Sequence, residues 1–326
     1  MRKYSFASGD ARRSIDMRRY EDLIQKAVHE VIPNAINNNV SGHYKLMADI
    51  DLNDVDFTPI GNVDSGPFSG TFDGNGFTIS NLSVFTGKYA GLFGYNEGEI
   101  KNVKLKNIYI YGTRYVGGIA AYNAATGVVK DSSVLSGSVE SVGGIYVTDI
   151  GGIVGFSNGA LSGCINRAKE KFNNSGKNAN CGGIVGEYDS KYELSGCKNY
   201  GNIFAASQYS NYDLKSERYG YGVGGVVGKL KCFRLSKCSN YGNIKNYGNY
   251  TGGIIGISDY SDGLVKQCQN SSYLYSEQPG FTYLGGICGA SKKAITFEEC
   301  LNSGYIHCED RVSDRAFAGG DFWLCI

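Results

Sequence analysis

The sequence predicts an all-β chain wound into one parallel β-helix, a solenoid, with an α-helical cap at its start. Three observations carry this expectation. A glycine-rich pentad recurs along the chain: it stands complete at Gly182-Gly183-Ile184-Val185-Gly186, and related forms begin at Ala90, Gly117, Gly151, Gly224, Gly252, Gly285 and, degraded, Gly319. The steps between these starts are 27, 34, 31, 42, 28, 33 and 34 residues, the period range of a repeat array. A Cys-x-Asn-x-Gly-x-Ile stretch follows several of the pentads, at Cys197, Cys238 and Cys300, with shorter variants at Ile100 and Cys164. Finally, 47 glycines, only 4 prolines and many β-branched and aromatic residues make a strand-and-turn composition, with no three-residue period that would mean collagen.

Taken in order, residues 17–32 carry the helix. Met17, Tyr20, Leu23, Ile24, Ala27, Val28, Val31 and Ile32 recur at three- and four-residue spacing among charged residues, with Asp16 as N-cap and Pro33 as stop. Such a helix binds a partner or, as repeat arrays require, covers an open end; capping is the expected role. Residues 1–40 therefore form a capping segment, and residues 41–326 an array of about eight repeats. The alternating stretch 44–52 opens the array, and Asp73-Gly74 with Asn75-Gly76 marks a tight turn between two short strands. Asp49, Asp51, Asn53, Asp54 and Asp56 have a superficial likeness to a calcium loop but lack its glycine and distal glutamate, so they read as a solvated face and no metal is expected. In each later unit the small residues let the backbone turn a corner while Ile, Val and Leu fill the core. Asn166, Asn199, Asn240, Asn270 and Asn302 share one repeat position and should form a hydrogen-bonded ladder. Cys164, Cys197, Cys238, Cys268 and Cys300 share another and read as stacked, buried, free thiols.

Composition narrows the function classes. With 32 basic and 31 acidic residues and no basic stripe, nucleic acid is a poor partner. No run of 18 apolar residues exists, so insertion into a membrane by a helix is not expected. The start, Met1-Arg2-Lys3-Tyr4-Ser5-Phe6, is positive but is not followed by an apolar stretch, so no secretory signal is legible there.

The block 44–52 with Thr58-Pro59-Ile60-Gly61 and residues 68–82, followed by Gly91-Leu92-Phe93-Gly94, resembles the opening rung of the GLUG-type repeat arrays of bacterial surface proteins. It is also similar to the β-helical region beside the catalytic domain of bacterial immunoglobulin A peptidases. The resemblance covers about residues 44–326. It implies a right-handed parallel β-helix and a secreted or cell-surface location. It does not imply one activity. The peptidases use a zinc motif H-E-x-x-H; here the histidines are His29, His43 and His307, and only His29 precedes a glutamate, so metal-dependent proteolysis is not carried over.

Chemistry should sit where units depart from the repeat. Three excursions, residues 167–180, 205–221 and 271–283, fall between the Asn-containing strand and the next glycine motif, and so should line one edge of the rod. Tyr209, Tyr212, Tyr219, Tyr221, Tyr273, Tyr275 and Tyr283 are the candidate ligand-binding residues, because aromatic rings stack on sugar faces while polar groups fix hydroxyls. The same tyrosines also suit a plain β surface. Asp213 and Glu217, with Arg218, are the candidate catalytic groups of a glycoside hydrolase or lyase, which needs paired carboxyls or a base beside a cation. The leading expectation is a non-catalytic adhesion or glycan-binding module without a cofactor, whose partner is a glycan or a surface protein. A polysaccharide-degrading enzyme in the same groove is the alternative, and a cytoplasmic phage or assembly protein a second. Self-association through the C-terminal rung, around Phe322 and Trp323, is a further expectation.

Overall fold

The computed structural model describes residues 35–62, 65–142, 148–174, 179–207, 222–247, 250–277, 282–309 and 316–319. The chain is a parallel β-solenoid of seven complete turns with a partial turn at each end, and every pairing between its strands is parallel. Each complete turn contributes five short strands, as in Glu99–Lys101, Lys104–Lys106, Ile108–Gly112, Tyr115–Gly117 and Ala120–Asn123. Successive turns stack these into five ladders, numbered here in chain order, of nine, nine, eight, eight and seven strands. The expected helix at 17–32 and the expected C-terminal rung around Trp323 lie outside the described residues; residues 35–37 are helical, beyond the stop expected at Pro33, and Ile36 is buried in the core of the first turn.

Alternation sets which residues form the core. The first ladder stacks Tyr44, Phe72, Ile100, Val129, Leu161, Leu194, Leu235, Val265 and Phe297 in register, inward-facing throughout. Each fully buried aliphatic or aromatic side chain here stabilises the fold by about 1.5–3 kcal/mol. The corner after this ladder needs a left-handed residue in every later turn: Asn102, Asp131, Gly163, Gly196, Lys237, Gln267 and Glu299 all have φ between 50° and 67°. Asp73-Gly74-Asn75-Gly76 makes the expected tight turn between two short strands, but those strands do not pair with each other as a hairpin. Thr71–Asp73 and Thr78–Ser80 belong to different ladders, each pairing with the turn above, so the turn bends the coil instead.

The glycine pentad works by close approach, not by an unusual φ, for none of its described glycines has positive φ. Fourth- and fifth-ladder strands fold back on each other through this motif. A Cβ on Gly183 would collide with the carbonyl of Gly225 and the side-chain amide of Asn199; one on Gly186 would strike the backbone of Gly155 and Ile150. The second motif glycine therefore makes room for the asparagine ladder across the core. That ladder is continuous: Asn166, Asn199, Asn240 and Asn270 each donate Nδ2 to the next asparagine's Oδ1, ending at Asn302, at 2.9, 2.9, 3.0 and 2.8 Å. Each buried amide is satisfied within the stack, as burial demands. The cysteine column runs beside it, with Cys164, Cys197, Cys238 and Cys268 buried, Cys300 half-buried and all five free.

Candidate functional site

The third ladder carries the groove. Its inward column reads Val84, Ile110, Val139, Glu170, Ile203, Ile244, Leu274 and Ile306. Its outward column reads Phe85, Tyr111, Glu140, Lys171, Phe204, Lys245, Tyr275 and His307. A cavity of about 780 Å³ opens over turns three to seven of this face, lined by Glu140, Lys169, Lys171, Phe204, Lys245, Tyr273 and Tyr275 among others.

Rings at the C-terminal end of the groove stack along the rod axis because the register repeats them one rung apart. Tyr273 and Tyr305 are parallel to within 3° with centroids 5.5 Å apart; Tyr275 and His307 lie 5.5 Å apart at 13°. The Tyr275 hydroxyl donates to Glu309 at 2.6 Å. The Lys245 ammonium lies over the rings of Tyr275 (4.9 Å) and Tyr247 (5.2 Å), a geometry that holds a cation by the ring quadrupole. Between rings and lysines, Asn202 Oδ1 accepts the Asn243 N–H at 2.9 Å, and Asn243 Oδ1 accepts the Tyr273 N–H at 3.0 Å. Asn202 and Asn243 both line the groove.

Of the tyrosines chosen from sequence, Tyr273 and Tyr275 line this groove. Tyr283 is on the fourth ladder, stacked on Tyr250 at 5.3 Å, and is not among the groove-lining residues. Tyr209, Tyr212, Tyr219 and Tyr221, with Asp213, Glu217 and Arg218, lie outside the described residues. The three excursions fall at one edge of the solenoid, because strands Lys169–Asn174, Ile203–Ser207 and Leu274–Glu277 all belong to the third ladder and the strands that follow them to the fourth, with the residues between lying outside the described ones. Glu140, Lys169, Lys171 and Lys245 were not singled out from sequence. Their signal was the strand alternation around Glu170 and its counterparts, which becomes readable once the register is known.

A second polar cluster was also missed. On the fourth and fifth ladders, outward rings of the early turns form a block: Tyr95, Tyr122 and Phe156 stack at 4.8 and 5.0 Å, with Tyr89 and Tyr115 stacked beside them at 5.4 Å. In the next turns the same columns carry Asp149, Asn180, Glu187 and Lys229. Asn180 Nδ2 bridges Asp149 Oδ1 at 2.8 Å and Glu187 Oε2 at 3.1 Å, while Lys231 reaches Glu187 at 2.7 Å and Asp189 at 3.3 Å. Burial, and then the neighbouring Glu187 charge, push the Asp149 carboxyl up to about 8. Burial disfavours the charge on Lys231, yet the hydrogen bond and charge of Glu187, followed by Asp189, hold it above the usual lysine range. The signal was present: Tyr89, Tyr115, Asp149 and Asn180 each stand two residues before a motif glycine, so aligning the units exposes the change from ring to polar group. In the core, Glu170 replaces an aliphatic residue of the third ladder's inward column; its Oε1 accepts from Asn166, its Oε2 is buried without a partner, and burial drives its carboxyl well above the usual range.

Comparison with known proteins places these features. Residues 26–136 match the family model of the M26 IgA1-specific metallo-endopeptidase N-terminal region. In fold, the chain is similar to a solved structure from Bacteroides ovatus that bears the name of an immunoglobulin A1 protease, with a TM-score of 0.54, 19% identity, and 90% of this chain and 81% of that chain covered. At that identity the likeness is one of fold. Halomucin of Haloquadratum walsbyi is 36% identical over 138 residues, which make up 37% of this chain and 1% of halomucin. The chain is thus similar to the β-helical region of immunoglobulin A peptidase-like proteins, as its opening block implied.

Proposed function

We propose that this chain is a non-catalytic β-solenoid module of a larger secreted or cell-surface protein, and that it holds an extended glycan along the third ladder. The observation that carries the reading is the in-register ring stack of Tyr273, Tyr305, Tyr275 and His307 beside a groove lined by lysine and amide donors. Rings offer apolar faces to pyranoses, and donors in a concave site fix hydroxyl or carboxyl oxygens. Because the face repeats every 4.7–4.9 Å or so, it suits a ligand that itself repeats, aligned with the rod. The extracellular location is supported by the names of the similar proteins, an immunoglobulin A1-specific peptidase and halomucin.

The test is binding of the protein to immobilised polysaccharides, with Tyr273→Ala/Tyr275→Ala as the comparison. Each ring is worth roughly 0.5–1.5 kcal/mol, so the double variant should lose about ten-fold or more in affinity with an unchanged melting temperature. Equal retention by both proteins would remove the groove from the reading. New reducing ends in the bound polysaccharide would show hydrolysis or lysis and overturn the non-catalytic part.

A further inference from the structure

One rung of the third-ladder face differs from those that follow it. In Arg167-Ala168-Lys169-Glu170-Lys171 the alternation buries Ala168 and Glu170 and leaves three cations exposed in a row. Resting on the glycan-binding reading, we propose that the bound glycan ends in one acidic sugar, whose oxyanion is taken up by Arg167, Lys169 and Lys171 while the neutral sugars behind it lie along the rings.

The three cations are set by register. Lys169 and Lys171 lie beside Ser138 and Glu140 of the turn before. Arg167 follows Asn166, which pairs with Asn199 of the turn after, so Tyr200 stands on the next rung. The Arg167 guanidinium lies 4.5 Å from the Tyr200 ring centroid, and Tyr200 is stacked on Tyr241 at 4.8 Å and 14°. The ring holds the guanidinium without an acceptor oxygen, so its fork of donors can meet a carboxylate or sulfate. Alternate strand residues lie about 7 Å apart, and the long stems of Lys169 and Lys171 can bring both ammoniums to one oxyanion. None of the three cations forms an ion pair among the described residues, where the paired lysines are Lys101, Lys130, Lys229, Lys231 and Lys266. Glu170, between two of them in sequence, points into the core, where burial favours its neutral form, so it does not offset their charge.

The register also confines the acid to one end. On the rung before, Glu140 stands beside Lys171 and repels a further anionic group. On the rungs after, the same columns pass to amides and rings: Asn202 with Phe204, then Asn243, then Tyr273 with Tyr275. Lys245, in this stretch, is held against the rings of Tyr275 and Tyr247. An anionic group over Phe204 would lose water without gaining a donor, which is costly, whereas a neutral pyranose gains an apolar platform. The face thus discriminates by repulsion as well as attraction, against a chain charged at every sugar.

The experiment is calorimetric titration of the whole chain with four oligosaccharides of equal length. These are an N-acetyllactosamine oligomer capped by sialic acid, the same oligomer capped by a sulfated galactose, the uncapped neutral oligomer, and an oligogalacturonate charged at every sugar. The two capped oligomers should bind most tightly and weaken as sodium chloride is raised, because exposed charges are screened; the tighter of them identifies the oxyanion as carboxylate or sulfate. Arg167→Gln and Lys169→Gln should each weaken the capped oligomers about three- to ten-fold and leave the neutral one unchanged. Tightest binding of the oligogalacturonate would overturn the single terminal acid. Equal binding of the neutral oligomer, with the capped ones indifferent to both variants, would overturn the acidic assignment and leave glycan binding intact. Binding of none of the four, while immobilised polysaccharides still retain the parent better than Tyr273→Ala/Tyr275→Ala, would likewise overturn this assignment alone. Binding of none, with that double variant indistinguishable from the parent, would overturn both.

Discussion

The third ladder's outer face and the outer face shared by the fourth and fifth ladders use the same residue types: tyrosine, lysine and carboxylate. They spend them differently. On the fourth and fifth ladders, Asp149, Asn180, Glu187 and Lys231 are bonded to one another and the carboxylates are almost fully buried. On the third ladder, Lys169 and Lys171 stand over an open groove without an ion pair among the described residues. Polar groups that satisfy each other stabilise or cost the fold; polar groups left facing a concavity are free to meet a ligand. The difference separates a self-satisfied cluster from the face on which we propose binding, and it follows from which columns of neighbouring turns happen to be complementary.

The strongest way to break the comparison is to damage what both surfaces share. Gly183→Ala would force a methyl against the Gly225 carbonyl and the Asn199 amide in the fully packed core. Overpacking of this kind costs about 3 kcal/mol, so denaturant unfolding should show the largest loss here, with both surfaces affected. Next, Glu170→Ile replaces a carboxyl between Val139 and Ile203 by a residue of the column's own kind. Relief of an unsatisfied buried group is worth roughly 1–3 kcal/mol, so this variant should be more stable than the parent. The sign has a pH signature. Because the folded-state pKa is raised, the parent's contribution from Glu170 is intact below the ordinary glutamate pKa and is lost as pH rises, so the gain should be smallest in acid and grow toward neutrality.

A smaller effect sharpens the contrast between the two faces. Asp149 holds its proton in the folded state up to about pH 8, against an ordinary value of 3.8. Its contribution is therefore full below about pH 4 and declines as pH climbs toward 8. Asp149→Asn should flatten that decline, giving a variant more stable at pH 9 by roughly 1 kcal/mol; a parallel fall of parent and variant in melting temperature across this interval would show that the cluster does not couple to folding. Smallest of all, Lys171→Ala should change stability by less than about 0.5 kcal/mol at any of these pH values. A large stability loss from Lys171→Ala would make the third-ladder face structural and erase the distinction.

What could be read directly from the chain was whatever repeats. The recurring pentad, the asparagine position and the cysteine position each reported a stack of identical environments, because a solenoid places the same residue of successive units one rung apart. That logic reached the parallel coil, the amide ladder and the shared edge of the three excursions. It placed the pentad at a corner and a tight turn at Asp73–Gly76, but sequence shows glycine and not the carbonyl it must clear, nor that the strands flanking Asp73–Gly76 each pair with strands one turn away. The groove itself needed the tertiary structure. Glu170 and Lys171 are adjacent in sequence, yet the Glu170 side chain enters the core and Lys171 stands on the outward face over the groove; Asp149 and Glu187 are far apart in sequence, yet share one amide. Both facts depend on register between turns of unequal length, and register is set by long-range packing, whereas the repeat is local and written in the residues themselves.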